Sequence, residues 1–363
     1  MGQTITPETV LSALRTVDDP DLHRDIVSLG FVKDVRVDGQ RVAFTIELTT
    51  PACPVRDQMK EQAAQAVRAL PGITAVDVTM TSQVRAARPM QSKGSLIPTI
   101  KHVVPIASGK GGVGKSTVSA NLAIALAKTG ARVGLMDADV YGPSIPTMLG
   151  ITDAPTMTPE RRLIPVQQYD VKVISMAFFM PPEEAVVWRG PMLHKTVEQF
   201  LGGVVWGELD YLIVDLPPGT GDVQLSLCQT IPITGAVVVS TPQDVALNVA
   251  QKAIAMFTKL NAPVLGIIEN MSYYICPHCG TREEIFGTGG AKQTADRMHI
   301  PFLGAIPLAT QIRQTSDAGT PVVVSDPDSP AAQAFTVAAE QLAAQISIRA
   351  MQGATVPEIQ VTF

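Results

Sequence analysis

Residues 109–117 read Gly109-Lys110-Gly111-Gly112-Val113-Gly114-Lys115-Ser116-Thr117, the pattern G-x-x-x-x-G-K-S/T. An apolar segment (102–107) precedes the run, and a segment with helical periodicity (117–128) follows it. Strand, glycine-rich loop and helix in this order predict a phosphate-binding loop, because glycines let backbone N–H groups close on phosphate oxygens and the helix N-terminus adds a favourable dipole. Lys115 would reach the β- and γ-phosphates, and Ser116 would offer its hydroxyl to Mg²⁺.

The chain from residue 101 to 347 alternates short apolar segments with helical ones. This alternation predicts an α/β domain with a mostly parallel sheet and helices on both faces, because strands rich in Val, Ile and Leu suit burial from both sides. The predicted strands are His102–Ala107, Ala131–Met136, Val171–Met176, Leu212–Val214, Gly235–Ser240 and Val264–Glu269.

The first part of the chain, residues 1–82, has a different pattern and predicts a small α+β domain. Its predicted elements are a helix opened by Thr6-Pro7, strands 31–37 and 41–48 around an Asp38-Gly39 turn, a helix over 55–70 and a strand over 72–80. Residues 83–100 contain Pro, Gly and basic side chains and predict a linker, and residues 348–363 predict a mobile tail.

Bulk composition excludes several classes of protein. The 363 residues carry a net charge of −5, which argues against non-specific binding of nucleic acid or of anionic membranes. We find no apolar run of membrane-spanning length and no signal-peptide pattern, so we expect a cytoplasmic protein with neither nucleic acid nor membrane as partner.

Three carboxylates follow predicted strands at the edge where such sheets bind ligands. Asp215 ends an apolar strand and would hold Mg²⁺ through water, and the glycine-broken loop 216–222 after it suits sensing of the γ-phosphate. Asp137 and Asp139 would order a Mg²⁺-bound water and the attacking water, or else would cap a helix. Asn270 follows another strand and would read the adenine edge, or would be an ordinary turn residue.

The four cysteines suggest metal rather than disulfide chemistry, since the chain is long and expected to be cytosolic. Cys276-Pro277-His278-Cys279 is a CxxC pair, and a tetrahedral site needs two further ligands. Two copies of the chain could each donate the pair, which leaves a bridging iron–sulfur cluster and a bridging Zn²⁺ open. Cys53 precedes a helix and is either a reactive thiol or a buried apolar residue, and Cys228 lies in an apolar helical stretch.

These motifs together resemble those of the Mrp/ApbC-type iron–sulfur cluster carrier ATPases, within the MinD/ParA-like group with a deviant P-loop. The resemblance covers nearly the whole chain, including a small N-terminal domain similar to those of iron–sulfur assembly factors. Besides the P-loop and the CPHCG run, it rests on Asp137–Ser144, Trp188–Pro191, Asp215–Asp222, Glu269–Ser272 and the N-terminal segments Asp19–Leu22, Asp25–Val27, Leu29-Gly30 and Thr49–Pro54.

The resemblance implies a homodimer that binds ATP and Mg²⁺, holds a bridging [4Fe-4S] cluster, passes it to apoproteins and hydrolyses ATP slowly. It implies that Lys110 reaches the nucleotide of the partner subunit, that Lys110, Lys115 and Asp139 serve catalysis, and that Cys276 and Cys279 hold the cluster. Two rivals stay open: a zinc-bridged dimeric ATPase scaffold, and a MinD/ParA-like positioning ATPase. The second rival would need a basic amphipathic C-terminal helix or a basic surface, yet residues 347–363 carry only one cation, Arg349.

Overall fold

The computed structural model describes residues 5–86, 97–180, 190–231, 233–276 and 278–353. These residues form two compact units. One contains the described residues up to Arg85 together with those from Ser347 onward, and the other runs from Ala86 to Ile346. The predicted linker lies outside the described residues over 87–96, the predicted tail over 354–363, and the resemblance motif at Trp188-Arg189 also falls outside them.

The smaller unit is a three-stranded sheet covered by two helices. Its elements are α1 (Pro7–Leu14), β1 (Asp18–Asp19), β2 (Arg24–Asp25), β3 (Val32–Asp38), β4 (Arg41–Leu48), α2 (Arg56–Arg68) and β5 (Ala75–Ser82).

Local sequence explains this arrangement. The side chain of Thr6 caps α1 by accepting a hydrogen bond from Thr9 N, and Pro7 begins the helix. Strands β3 and β4 pair antiparallel across a tight turn in which Gly39 takes φ +59°. Strands β4 and β5 pair in parallel, with α2 as the crossover between them. The helix predicted over 55–70 and the three predicted strands are therefore present.

The remaining elements belong to the larger unit, except that the end of α11, from Ser347 onward, belongs to the smaller one. They are β6 (Ile100–Ser108), α3 (Lys115–Lys128), β7 (Val133–Asp137), α4 (Ile145–Met148), β8 (Thr156–Met157), β9 (Leu163–Ile164), β10 (Val166–Gln168), β11 (Val171–Ser175), a 3₁₀ turn (Met176–Phe179), α5 (Gly190–Gly202), β12 (Leu209–Asp215), α6 (Asp222–Thr230), β13 (Ala236–Ser240), α7 (Asp244–Lys259), β14 (Val264–Glu269), β15 (Tyr274–Ile275), β16 (Arg282–Glu283), α8 (Gly290–Met298), β17 (Phe302–Ala305), α9 (Thr310–Asp317), α10 (Val322–Ser325) and α11 (Pro330–Gly353).

An eight-stranded sheet with the order β10-β11-β7-β12-β6-β13-β14-β17 forms the centre of the larger unit. All its pairings are parallel except that of β10 with β11. The central strands are wholly buried and rich in Val, Ile and Leu, as expected for strands covered on both faces. The predicted fold class is confirmed.

Parallel pairing brings the carboxyl ends of β6, β7 and β12 to one edge of the sheet. In register, Asp215 at the end of β12 lies beside Asp137 at the end of β7 and beside Ile106 of β6. The loop 109–114 leaves β6 at the same edge and leads into α3. The fold therefore positions the predicted site residues as neighbours, as the rule for ligand binding at strand ends requires.

The structure differs from the sequence prediction at several elements. The antiparallel edge strand β10 and the last parallel strand, β17, were not predicted. Residues 348–353, predicted as the start of a tail, lie in the last turns of α11, where Ala350 is buried and Met351 packs on the core of the smaller unit. None of the described helices is both long and apolar enough to cross a bilayer.

The opposite, amino-terminal edge of the sheet is held by Asp210. This carboxylate is nearly buried and accepts hydrogen bonds from Lys101 Nζ at 2.8 Å and from the Arg132 backbone N at 3.0 Å and side-chain Nη2 at 3.1 Å. Burial alone would raise the pKa of Asp210, but the hydrogen bonds from Arg132 and Lys101 outweigh it and lower that pKa to about 2 from 3.8.

Because folding lowers the pKa of Asp210, its ionised carboxylate stabilises the fold above pH 4. This stabilisation is lost as the pH falls from about 4 towards about 2. We expect Asp210→Asn to lower the free energy of unfolding by about 2 kcal/mol at pH 7 and to flatten its decline in acid. Urea unfolding between pH 2.5 and 7 measures both effects. The control is Glu208→Gln, because this exposed partner of Arg132 should matter by less than about 0.5 kcal/mol. Equal effects of the two substitutions would contradict the stabilising role of the Asp210 carboxylate.

Candidate functional site

The P-loop (residues 109–117) has the conformation that a phosphate cradle needs. Gly112 and Gly114 both take φ +80°, a region that residues with a Cβ rarely adopt. A Cβ at Gly109 would lie 2.4 Å from the backbone carbon of Val249 in α7, so this glycine is required by close packing. The cleft above the loop has a volume of about 190 Å³, and Asp139, Ser144 and Pro218 complete its lining.

Asp215 is the centre of the hydrogen-bond network beneath the cleft. Its side chain is fully buried, and its carboxylate accepts from Lys115 Nζ at 2.7 Å, from Ser116 Oγ at 2.6 Å and from Ser119 Oγ at 2.7 Å. The predicted phosphate ligand Lys115 and the predicted Mg²⁺ ligand Ser116 thus already contact Asp215, the carboxylate predicted to hold Mg²⁺ through water. Ser119, one turn further along α3, was not predicted, although its position on the helix face of Lys115 is a usable signal.

Asp137 and Asp139 have different surroundings. Asp137 is fully buried and accepts from Ser175 Oγ at 2.9 Å and from the backbone N of Ile145, where α4 begins, at 3.3 Å. Asp137 thus caps the start of α4, which is one of the two roles that the sequence analysis considered for it. Burial, with the charge of Asp215 second, raises its pKa.

Asp139 lies at the cleft itself, with Oδ2 at 3.7 Å from Lys115 Nζ. Its Oδ1 is buried and accepts no hydrogen bond from any described residue. Burial is the main cause that raises the pKa of Asp139, and the nearby Lys115 opposes it. A carboxylate that lines the phosphate cleft and keeps one oxygen without a protein donor is suited to orient a water molecule.

Lys110 differs from Lys115 in its exposure. Its side chain is exposed, and it forms no ion pair within the described part of the chain. The loop after Asp215 is held by Gln224, whose Nε2 donates to the carbonyls of Pro217 at 2.7 Å and Gly219 at 3.1 Å. Gln224 is a further site residue that the sequence did not reveal.

Asn270 contacts the P-loop directly. Its Nδ2 donates to the carbonyl of Val113 at 2.8 Å, and its backbone N donates to Ser240 O at 2.8 Å. The side chain is buried in this arrangement. The role of Asn270 in reading adenine stays a prediction.

The neighbouring carboxylate, Glu269, is 1% exposed and accepts three hydrogen bonds. The donors are Ser272 Oγ at 2.5 Å, Gly289 N at 3.1 Å and Ala291 N at 2.7 Å. The sequence analysis included Glu269 in a family motif but gave it no role, because its partners at the start of α8 are distant in the chain.

Cys276 and Cys279 lie at the tip of a short antiparallel hairpin formed by β15 and β16, which we call the cysteine hairpin (residues 274–283). The turn is closed by Cys276 N to Thr281 O and by Gly280 N to Cys276 O, both at 2.9 Å, with Gly280 at φ +73°. Cys276 is partly exposed and Cys279 is exposed. Hydrogen bonds, first with the Thr281 side chain and then with its backbone, lower the pKa of the Cys279 thiol. Pro277 lies outside the described residues.

The other two cysteines have different settings. Cys228 packs against the core of the larger unit, and burial raises its pKa to about 11, which disfavours a thiolate at neutral pH. Cys53 is partly buried against the core of the smaller unit. Within the described residues, no group of three or more His, Cys, Asp or Glu side chains is arranged to hold a metal ion.

Family models match both parts of the chain. Residues 99–343 match the model described as NUBPL iron-transfer P-loop NTPase, and residues 7–80 match the model described as iron–sulfur cluster assembly protein. The chain is 50% identical to the iron–sulfur cluster carrier protein of Deinococcus radiodurans, with 95% of this chain and 97% of that protein covered. It is 46% identical to the protein of the same name from Synechocystis, with 96% and 99% covered.

Two solved structures resemble the larger part of the chain. The nucleotide-binding protein of Archaeoglobus fulgidus, solved with ADP, is 43% identical, with a TM-score of 0.55 over 61% of this chain and 87% of that one. The cell division ATPase MinD of Pyrococcus furiosus is 24% identical, with a TM-score of 0.51 over 66% of this chain and 97% of that one, and shares the fold. The chain belongs to the NUBPL iron-transfer P-loop NTPase family, and the prediction of a P-loop ATPase is confirmed.

The contact between Lys115 and Asp215 predicts the behaviour of the nucleotide-free protein. Lys115→Met should lower the free energy of unfolding by roughly 3 kcal/mol, because it leaves the fully buried Asp215 carboxylate without its cation. Lys115→Met combined with Asp215→Asn should recover much of that loss. Urea unfolding without nucleotide at pH 7 provides the measurement.

The matched control is Lys101→Met, which removes a more exposed lysine from a carboxylate that keeps Arg132 as its partner. It should cost less than about 1 kcal/mol. If the Lys115→Met protein is as stable as the wild type, the buried pair does not stabilise the site.

Proposed function

We propose that this chain is a cytoplasmic iron–sulfur cluster carrier that binds a [4Fe-4S] cluster between two copies of itself and transfers it to apoproteins, while it hydrolyses ATP slowly. Cys276 and Cys279 of each copy would hold the cluster. Lys110, Lys115 and Asp139 would serve ATP hydrolysis, with Ser116 and Asp215 on the Mg²⁺ side. The names of the relatives and of both matching families support this proposal.

The single observation that carries the proposal is the geometry of the cysteine hairpin. A [4Fe-4S] cluster takes four thiolate ligands. The hairpin presents two thiols side by side at an exposed tip, one of them with a lowered pKa. Two copies related by a two-fold axis would supply the remaining pair, so the cargo itself would join the subunits.

The other cysteines fit this role less well. Cys228 is partly buried and its raised pKa disfavours the thiolate that a cluster requires. Cys53 belongs to the smaller unit, and we propose for it no ligand role in the bridging site.

The nucleotide site supports the same symmetric arrangement. Lys115 is paired with Asp215 beneath the cleft, whereas Lys110 of the same loop is exposed and has no ion pair among the described residues. A cation placed there would reach the phosphates of a facing copy and stabilise the charge that develops on the transferred phosphoryl group. Asp139, with its unbonded buried oxygen, would orient the attacking water.

A bridging Zn²⁺ on the same four thiolates is the second candidate, because soft thiolates suit both metals. We expect protein purified without oxygen, or reconstituted with iron and sulfide, to contain about four iron and about four sulfide per dimer. Cys276→Ala and Cys279→Ala should each abolish this content, since each removes two of the four ligands of a symmetric site. Metal and acid-labile sulfide analysis measures both.

Cys228→Ala serves as the matched control, because it removes a cysteine of the same unit that packs against the core. It should keep the full iron and sulfide content. About one zinc per dimer with no sulfide would instead favour the zinc-bridged scaffold.

A mixing experiment tests the placement of Lys110. Lys110→Ala and Asp139→Ala should each abolish hydrolysis while nucleotide binding remains. If Lys110 acts on the partner subunit, an equimolar mixture should regain about a quarter of wild-type activity, because half of the dimers are mixed and each mixed dimer has one intact site. Steady-state phosphate release measures the recovery. No recovery after verified subunit exchange would place Lys110 in its own subunit's site.

A further inference from the structure

We propose that Asn270 is a positioning residue that transmits nucleotide occupancy of the P-loop to the cysteine hairpin. This inference depends on the proposed function only for the identity of the metal or cluster that the two thiols would bind. The contacts that carry it join three segments: the peptide between Val113 and Gly114, the bend 270–272 that leaves β14, and the carboxylate of Glu269.

The first step is the peptide group shared by Val113 and Gly114. Its carbonyl accepts the hydrogen bond from Asn270 Nδ2 at 2.8 Å. Its N–H belongs to Gly114, within the run of backbone amides that forms a phosphate cradle in such loops. One rigid, planar peptide therefore has the nucleotide on one side and Asn270 on the other.

The second step is the bend at Met271. This residue takes φ +54°, the left-handed region that costs a side-chain-bearing residue of the order of 1 kcal/mol or more. The conformation persists because its two neighbours are fixed. Asn270 is bonded to Val113 on one side, and Ser272 donates from its side chain to Glu269 and from its backbone N to Ile306 O at 2.9 Å on the other.

The third step is Glu269, which holds both ends of the segment that contains the cysteine hairpin. Ser272 lies just before the hairpin, and Gly289 and Ala291 lie after it, and all three donate to the one buried carboxylate. Just before the hairpin, the chain is also held by a hydrogen bond from Leu308 N to Tyr273 O at 2.7 Å. A shift of the bend at 270–272 therefore moves the start of the cysteine hairpin, and with it the thiols of Cys276 and Cys279.

The direction of the effect follows from hydrogen-bond polarisation. When a phosphate accepts from the Gly114 N–H, the carbonyl of the same peptide becomes a better acceptor. The bond to Asn270 then strengthens, the bend is held more firmly, and the cysteine hairpin opens less often. Nucleotide should therefore protect the thiols from reagents, while its removal should loosen them.

The experiment uses the full-length, reduced, metal-free chain and the alkylating reagent iodoacetamide. Mass spectrometry follows modification of Cys276 and Cys279 with and without saturating Mg-ADP, at a protein concentration where ADP leaves the oligomeric state unchanged. We expect Mg-ADP to slow wild-type modification by about fivefold or more, the low end of typical couplings between sites. Asn270→Asp, which keeps the shape but loses the amide donor, should abolish the difference.

Two further variants separate positioning from folding. Ser272→Ala removes the bond to Glu269 at the far side of the bend and should also abolish the ADP effect. Ser240→Ala removes a comparable buried hydroxyl at the end of β13, which donates to the carbonyl of the next residue, Thr241, and this variant should retain the ADP effect. The ADP affinity of each variant, measured with a fluorescent analogue, shows that the nucleotide is still bound.

An ADP effect that persists in both Asn270→Asp and Ser272→Ala overturns the proposal, as does a wild type whose modification rate ignores ADP. Neither result depends on iron, so failure here leaves the iron and sulfide content of the dimer as a separate test. Conversely, a zinc-bridged dimer would refute the cluster assignment while leaving the coupling measurable.

Discussion

Burial of the Asp215 carboxylate, with three donors from one helix turn, is the constraint on which the nucleotide site depends. The carboxylate has no access to water, so each of its hydrogen bonds must come from the protein. Lys115, Ser116 and Ser119 supply them, which fixes the first turn of α3 against the end of β12. The P-loop between β6 and α3 is consequently closed into a cradle before any phosphate arrives. When a nucleotide binds, Lys115 then has to exchange Asp215 for the phosphates, but the loop does not have to form anew.

The sequence predicted what local patterns determine. The glycine-rich loop, the apolar parallel strands and the CxxC pair are contiguous or nearly so, and the strand-end rule brought Asp137, Asp139 and Asp215 to one edge. It did not predict the contact of Gln224 with Pro217, seven residues away, or that of Glu269 with the start of α8, 22 residues away. It also missed the edge strand β17, a short segment, Phe302–Ala305, with two small residues. These depend on packing that no local period encodes.

The two candidate centres differ in how much of each a single chain contains. The phosphate cradle is complete within one copy, since Lys115, Ser116 and Asp215 already contact one another. The cysteine hairpin supplies two of the four ligands that a tetrahedral metal or a cubane cluster requires. In the proposed function, a second copy is therefore needed to hold the cargo and, through Lys110, to hydrolyse the nucleotide, but not to bind it.

The segment between the two centres is too ordered to be a passive connection. A left-handed non-glycine residue, a buried carboxylate with three donors and a side-chain amide on the P-loop carbonyl all occur within Glu269–Ser272. Strain of this kind survives only where its surroundings hold it in place, and here one anchor is the loop that binds phosphate. A loss of that anchor would relax the bend towards ordinary backbone geometry. In the proposed coupling, cluster release on nucleotide departure would need no large domain motion, only a weakening of the hydrogen bond at Val113.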